Sequence, residues 1–264
     1  MTDEFQGLIT LLGSKHKTKI KTAILQLKHH QEDFKNHFGF EYNEDVKELM
    51  AFLLINNGWD MQKPLFEIED LLLIGKKITI IPKVINKLQK LKRLYLTKNQ
   101  ITEIPKEVFE LRNLVDFDIS YNQIKEIPRE IGEMKTLETL VLRDNQITEI
   151  PKEIGELENL TYYLELDNNQ IKEIPKEIGQ LKKLHRLSLR NNQIQNIPQE
   201  IGEMKWLRDL YLEDNQIKVV PKKVAMLKNL EFFNLHNNPL ENIDEIKPFF
   251  SNFENGNFRN YFAP

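Results

Sequence analysis

The stretch Leu91–Asn113, LKRLYLTKNQITEIPKEVFELRN, decides the fold of this chain because variants of it recur along the sequence. Copies of Asn-Gln-Ile, with a related Asn-Pro-Leu at Asn238, follow one another with a period of about 23 residues, and one interval is longer by a single position. Eight such units fit between about Ile68 and about Leu240. A fixed period in this range is typical of solenoids, in which each unit buries its apolar face against the next. The Asn-Gln-Ile triplets begin at Asn99, Asn122, Asn145, Asn169, Asn192 and Asn215.

Each unit divides into a strand, a turn and a helical return. The run Leu94-Tyr95-Leu96 alternates with period two, which predicts a short strand with one buried face. Asn99 follows at the turn, where its amide can bond unpaired backbone groups; an unpaired buried amide would cost about 1–3 kcal/mol. A Pro then opens the return path. The form Pro-Lys-Glu-Ile-Gly predicts a short helical turn, which Gly155 keeps from running long.

The full unit, Leu-x-x-Leu-x-Leu-x-x-Asn-Gln-Ile-x-x-Ile-Pro-x-x-Ile-Gly-x-Leu-x-x, resembles the leucine-rich repeat family, whose signature is Leu-x-x-Leu-x-Leu-x-x-Asn. The likeness covers about two-thirds of the chain, and its 23-residue form is similar to the bacterial class of spirochaetal pathogens. Lys76 departs from the ladder Asn, and Phe117 and Phe233 depart from Leu. The resemblance implies an α/β solenoid, or horseshoe, with a parallel concave sheet whose strands stack about 4.8 Å apart.

The ends of the chain differ from the middle, as a solenoid with two exposed core ends requires. We predict a helical N-terminal capping region over residues 1–66, eight leucine-rich repeats over 67–241 and an aromatic-rich C-terminal cap over 242–264. The aromatic residues expected to cover the last unit are Phe249, Phe250, Phe253, Phe258, Tyr261 and Phe262.

Three helices are predicted in the N-terminal region. The first ends at Gly13, and the second starts at about Ser14. The third has Asn43 as its N-cap, acidic residues in its first turn and Gly58 as its C-cap.

The N-terminal region also raises two functional alternatives. The basic run Lys15–Lys21 does not form a sustained basic face, because Ile20 and Ile24 form an apolar stripe beside it, so a solvated helix face is favoured over nucleic-acid binding. His29 and His30 do not have a metal-binding spacing such as His-Glu-x-x-His.

Composition excludes several function classes. The net charge of −3 and the 40% hydrophobic content do not indicate a nucleic-acid or membrane protein. The sequence contains no run of about 18 apolar residues, so no membrane span is predicted. Cysteine is absent, so disulfides, thiolate metal sites and a cysteine nucleophile are excluded. The acidic residues recur with the repeat, as solvated turn residues do. We therefore predict a non-enzymatic monomer with no catalytic residue, no metal site and no cofactor.

The N-terminus shows no recognisable signal peptide, because it begins acidic and its apolar run is very short. The expected locations are the cytoplasm or, after export by a non-classical route, the outside of the cell.

The candidate binding face follows from the strand geometry. The leucines of each strand face the core, so the third, fifth and seventh positions of each unit face the concave side. These positions vary where the scaffold repeats, and they hold seven acids, four arginines, three tyrosines and no lysine. Tyr and Arg are enriched among residues that dominate protein–protein binding. The predicted partner-binding residues are Arg93, Tyr95, Asp116, Asp118, Arg143, Tyr162, Tyr163, Glu165, Asp167, Arg186, Arg190, Asp209, Tyr211 and Glu213.

One unit is a residue longer than the others. Leu160 and Leu164 are separated by one position more than the corresponding leucines of the next unit, so the insertion lies within Thr161-Tyr162-Tyr163. An added strand residue makes a bulge that re-aims a side chain and spares the downstream register. The bulge either exposes Tyr162 or Tyr163 as a central contact or is a neutral insertion.

These observations predict a module that recognises a protein partner through its concave face. The family resemblance implies that the partner could be a host-cell protein. An intracellular scaffold for bacterial proteins and a glycan- or nucleic-acid-binding module are the alternatives, although the mixed charges argue against a phosphate backbone as ligand.

Overall fold

A computed structural model describes residues 2–14, 16–39, 41–56 and 64–250. Its centre is one open sheet of eight parallel strands in chain order, in which each strand residue pairs with its counterpart in the next unit, as Arg93 does with Asp116. The predicted α/β solenoid with a parallel sheet and a helical N-terminal cap is confirmed. The strands are β1 Asp70–Leu72, β2 Arg93–Tyr95, β3 Asp116–Asp118, β4 Thr139–Val141, β5 Tyr163–Glu165, β6 Arg186–Ser188, β7 Asp209–Tyr211 and β8 Phe232–Asn234.

The return paths are short 3-10 helices, each entered through a Pro in extended backbone, as the sequence predicts. The leucines and isoleucines of strands and returns meet in one continuous core in which most are fully buried. The 3-10 helices of the units are Lys83–Lys87, Lys106–Glu110, Arg129–Glu133, Lys152–Glu156, Lys176–Gln180, Gln199–Glu203 and Lys222–Met226.

The repeated asparagine joins each unit to the one before it. In Asn145, Oδ1 accepts the Ile124 amide at 2.9 Å, and Nδ2 donates to the carbonyls of Ile119 and Leu142, both at 3.1 Å. Ile119 and Ile124 belong to the preceding unit, whereas Leu142 belongs to the same unit. The amide thus satisfies backbone groups on both sides of a unit boundary, which explains a buried polar residue at a core position.

The repeated glycine has a role that was not predicted from the sequence. A Cβ on Gly155 would collide with the carbonyl oxygen of Glu177 in the next unit. A Cβ on Gly179 would likewise lie 2.5 Å from the carbonyl oxygen of Glu200. Glycine is therefore required here because adjacent return paths approach closely.

In the described part of the N-terminal region, four α-helices precede the repeats: α1 Asp3–Leu12, α2 Lys17–Gln26, α3 Gln31–Phe38 and α4 Glu44–Ile55. Helix α1 ends before Gly13, and Asn43 caps α4 by accepting the Val46 amide at 2.9 Å, as predicted. Helix α4 also packs against the first 3-10 helix of the repeats, so this helical bundle covers the N-terminal end of the core.

Two N-terminal expectations differ from the structure. Helix α2 begins at Lys17 rather than at Ser14, because the Ser14 hydroxyl accepts the His16 amide at 3.1 Å and holds a turn before the helix. Helix α3, which was not predicted, is short and buries Phe34. Gly58, the predicted C-cap of α4, lies outside the described residues; the helix ends at Ile55, with Asn56 as its C-cap.

The C-terminal end carries helix α5, Ile243–Phe250, whose Ile246 is fully buried and which packs against the last 3-10 helix. The side chains of Phe249 and Phe250 and all aromatic residues of the predicted lid from Phe253 onward lie outside the described residues, so the lid stays a prediction. The domain boundaries stay a prediction.

Candidate binding face

The concave face is the set of side chains at the third, fifth and seventh positions of the eight units. Between them, the leucines at the fourth and sixth positions point into the core, as Leu187 and Leu189 do with no exposed surface. Matched register across all eight strands aligns each position into a row that crosses the sheet. The core residues and the face residues are thus separated by strand geometry alone.

A cluster of arginine and tyrosine side chains occupies strands β5 to β7. The guanidinium carbon of Arg186 lies 4.9 Å from the ring centre of Tyr163 and 5.9 Å from that of Tyr211. The guanidinium of Arg190 lies 3.9 Å from the Tyr211 ring centre on the same face. These are cation–π distances, so each aromatic ring helps to hold a neighbouring guanidinium in place. We call Tyr163, Arg186, Arg190 and Tyr211 the Tyr–Arg cluster.

Mostly buried carboxylates lie beside these arginines. Arg186 Nε donates to Asp209 Oδ2 at 2.8 Å, and its Nη1 lies 3.8 Å from Glu165 Oε1. Arg190 Nε lies 2.6 Å from Glu213 Oε1. The Asp209, Glu165 and Glu213 side chains are only 13–16% exposed, whereas the two guanidinium-bearing side chains are 35–40% exposed. The acids are therefore mostly covered and position the arginines, which present the accessible surface.

Two further predicted residues complete this region. Arg143 Nη1 lies 3.7 Å from Glu165 Oε2, so Glu165 lies between two arginines. Asp167 is 8% exposed; its Oδ1 accepts the Ser188 hydroxyl at 2.6 Å and the Arg190 amide at 2.9 Å. Asp167 is thus a buried support of the face rather than an exposed part of it.

The other predicted residues lie toward the N-terminal end of the sheet. Arg93 forms a two-pronged ion pair with Asp70, with Nε and Nη2 donating at 2.5 and 2.7 Å. Tyr95 is half-buried and in register with Asp118, and Asp116 is in register with Arg93. The structure therefore separates the predicted residues into the Tyr–Arg region and a second region around β1 to β3.

The extra residue of the fifth unit forms a bulge at the entrance of β5. In other units, the backbone carbonyl before one strand accepts hydrogen bonds from two consecutive backbone amides at the start of the next strand. The Arg208 carbonyl, for example, accepts the amides of Glu231 and Phe232. At the insertion, the carbonyls of Thr161 and Tyr162 each accept only one of these amides. The chain is therefore one residue longer just before β5, and the downstream register is unchanged.

Both tyrosines at the bulge are exposed and begin a row of rings. The Tyr162 ring centre lies 6.3 Å from that of Tyr163 and 6.4 Å from that of His185, and His185 lies 6.3 Å from Trp206 with an edge contact. Trp206 is 55% exposed. His185 and Trp206 were not predicted because they lie outside the three concave positions. A signal was present, since Trp206 occupies a position that holds Lys, Asn or Thr in the other units.

Burial governs the ionisation of Glu165. It raises the pKa of Glu165 above the ordinary value of 4.5, and Arg143 counteracts this only in part. The folded chain thus holds this proton more tightly than the unfolded chain. The resulting contribution to stability is complete below about pH 4.5 and is lost as the pH rises through the folded pKa.

We therefore expect the unfolding free energy of the wild type, relative to that of Glu165→Gln, to fall as the pH rises above about 4.5. Denaturant titrations of both proteins at several pH values measure this difference. A carbon-13 titration that gives Glu165 a pKa at or below 4.5 would contradict the expectation.

Within the described ranges, no group of three or more His, Asp or Glu side chains is arranged to hold a metal ion. No helix in this part of the chain is long and apolar enough to cross a membrane.

Two family descriptions match the sequence. "Leucine-rich repeat region" matches residues 162–247, and "Leucine rich repeat" matches residues 89–147. No curated protein matches significantly.

Solved structures that match this chain also include leucine-rich repeat proteins. A leucine-rich repeat protein of Leptospira interrogans is 40% identical over 72% of this chain and 48% of its own, with a TM-score of 0.68. The ectodomain of the Arabidopsis thaliana receptor kinase GASSHO1/SCHENGEN3, in complex with CASPARIAN STRIP INTEGRITY FACTOR 2, is 33% identical over 61% of this chain and 20% of its own, at TM-score 0.58. The plant peptide hormone receptor RGFR1, in complex with RGF2, is 28% identical over 66% of this chain and 37% of its own, with a TM-score of 0.56. This chain spans about half the length of the Leptospira protein.

Proposed function

Because this chain belongs to the leucine-rich repeat family and shares 40% identity with a bacterial member, we propose that it is a non-enzymatic module that binds a protein partner through its concave face. The partner class we favour is a host-cell protein.

The Tyr–Arg cluster is the observation that carries this proposal. Tyr and Arg dominate binding energy at many interfaces because they bury large areas and make directional polar contacts. Arg186 and Arg190 are already held by Asp209, Glu213 and the Tyr211 ring. Fixing these side chains before binding reduces the conformational entropy lost when a partner docks. A solvated sheet face without a binding role does not require such pre-positioning.

The comparisons support binding of a polypeptide. The GASSHO1/SCHENGEN3 and RGFR1 structures are complexes, and RGFR1 is described as a peptide hormone receptor. The two are 33% and 28% identical to this chain and share its solenoid. Since this chain covers only part of each protein, their ligands suggest a class of partner and not a particular molecule.

The test is affinity for a partner identified by capture on the intact protein. We expect Arg186→Ala/Tyr211→Ala to weaken binding by a factor of at least about 30, because two central anchors each contribute about 1–2 kcal/mol or more. The matched control is Arg112→Ala/Tyr121→Ala, which removes the same residue types from exposed positions off the concave face; Arg112 also has an acidic partner, Glu133 at 2.8 Å. Isothermal titration calorimetry measures the affinity of the wild type and of both double variants for the partner.

Equal weakening in both double variants, with unchanged circular dichroism, would overturn the proposal. Detection of the protein only inside the bacterium would favour the rival function of a scaffold for bacterial proteins. A steep loss of affinity with salt for a captured nucleic acid would favour the nucleic-acid alternative.

A further inference from the structure

The four arginines of the concave face all have carboxylate neighbours within the protein. Arg93 pairs with Asp70, Arg186 with Asp209, and Arg190 with Glu213. Arg143 lies 3.7 Å from Glu165. The positive charge on this face is therefore compensated internally, and any surplus charge must be negative.

The surplus lies on strand β3. Asp116 has no ion pair or side-chain hydrogen bond with any residue that the structure describes. Asp118 accepts the Ser120 amide at 2.9 Å and the Ser120 hydroxyl through the same oxygen, Oδ1, which leaves Oδ2 without a partner in the described chain. The two carboxylates are two residues apart on one strand, so they face the same side.

The nearby lysines do not neutralise this pair. Lys92 is bound to Glu69 at 3.0 Å, and Lys98 lies 5.7 Å from the ring centre of Tyr121 at the turn beyond the strand. The pKa of Tyr95, in the neighbouring strand, is raised by burial and, second, by the charge of Asp116. Arg93 opposes this effect, whereas Asp118 and Asp70 add to it, so three acidic groups face one arginine around Tyr95.

Exposed aliphatic side chains lie on the same face as the two aspartates, two strands away in the first unit. Leu72 is 52% and Ile74 is 49% exposed, both at concave positions of the first unit. By contrast, Val141, the other aliphatic residue at these positions, is buried. Strand register places Tyr95 between Leu72 and Asp118 in one row. We call Leu72, Ile74, Tyr95, Asp116 and Asp118 the acidic–apolar patch.

We infer that the acidic–apolar patch binds a polypeptide segment of the partner that carries a lysine or arginine near an aliphatic residue. The cation lies between Asp116 and Asp118, and the aliphatic side chain covers Leu72 and Ile74. Two strand spacings separate Leu72 from Asp118, or about 10 Å, which an extended peptide spans in about three residues. Opposite charge also favours the encounter and excludes acidic segments. This inference rests on the proposed function and specifies the chemistry of its partner.

The experiment selects peptides without assuming a sequence. A phage-displayed library of random dodecapeptides is panned on the immobilised full chain, and synthetic copies of the enriched peptides are titrated against it. We expect enrichment of Lys or Arg near Leu, Ile or Val. We also expect affinity to fall at least about tenfold in Asp116→Asn/Asp118→Asn, because an amide keeps the Ser120 contact but loses the charge. The control Glu126→Gln/Glu149→Gln makes the same charge change at exposed residues away from the concave face and should leave affinity within twofold.

The outcomes separate the two proposals. Peptides that lack cationic residues but lose affinity in Arg186→Ala/Tyr211→Ala would overturn this inference and retain the proposed function. An absence of enriched peptides, or peptides unaffected by every concave substitution, would contradict both. Self-association of the protein that Asp116→Asn/Asp118→Asn abolishes, measured by sedimentation, would replace the partner segment with a second copy of the chain.

Discussion

Asn145→Ala is expected to lower the free energy of unfolding by about 3 kcal/mol or more, since it leaves at least three buried backbone groups without partners and each costs about 1–3 kcal/mol. The groups are the Ile124 amide and the carbonyls of Ile119 and Leu142. They lie on both sides of a unit boundary, so the loss acts on the contact between two units as well as within one. Urea unfolding followed by circular dichroism measures the change.

Gln123→Ala is the control for this substitution. Gln123 also belongs to an Asn-Gln-Ile triplet, but its side chain is exposed. Its replacement should change the unfolding free energy by no more than about 0.5 kcal/mol. A loss below about 1 kcal/mol for Asn145→Ala would show that water replaces the amide and that the ladder is dispensable at this position.

Gly155→Ala is expected to destabilise the protein by about 2 kcal/mol or more, in the range typical of an overpacked core. The new methyl group would collide with the Glu177 carbonyl oxygen, a backbone atom that cannot rotate away. The adjacent return paths must separate, which weakens core contacts between the units. The unfolding free energy in urea is again the measurement.

The same substitution at Gly7 should have the opposite sign. Gly7 lies inside α1, and apart from its chain neighbours and the backbone of α1 itself, no atom lies within 4 Å of the place that its added methyl group would occupy. Alanine is favoured over glycine in a helix interior by up to about 1 kcal/mol. If Gly7→Ala and Gly155→Ala both stabilise the protein, close approach of the return paths is not the reason for the repeated glycine.

The fold was predictable from the sequence because every unit carries the same pattern of core, turn and return residues. The register of the sheet follows from the constant repeat spacing, and Asn99 and Asn145 occupy the predicted turn. The glycine role could not be predicted in the same way, since the distance between Gly155 and Glu177 depends on how tightly adjacent return paths pack. The start of α2 depended on a local Ser14 contact that competes with helix formation.

The candidate face was predictable in position but not in detail. Period-two alternation identifies which residues face the concave side, but it does not show that Asp167 is covered while Glu165 lies between two arginines. Trp206 was missed because the ring row crosses the units outside the alternating positions. These details depend on how side chains of neighbouring units pair, which the sequence of a single unit does not determine.

The contacts of the ladder asparagines extend only to adjacent units, and Asn122 and Asn215 make the equivalent contacts at their own boundaries. A gene duplication or deletion of one whole period would therefore join two surfaces that already fit each other. The concave face could grow or shrink by the width of one strand while the remaining unit boundaries kept their geometry. The evolution of new specificities in this protein would then be possible by recombination of entire turns, in addition to exchange of single side chains.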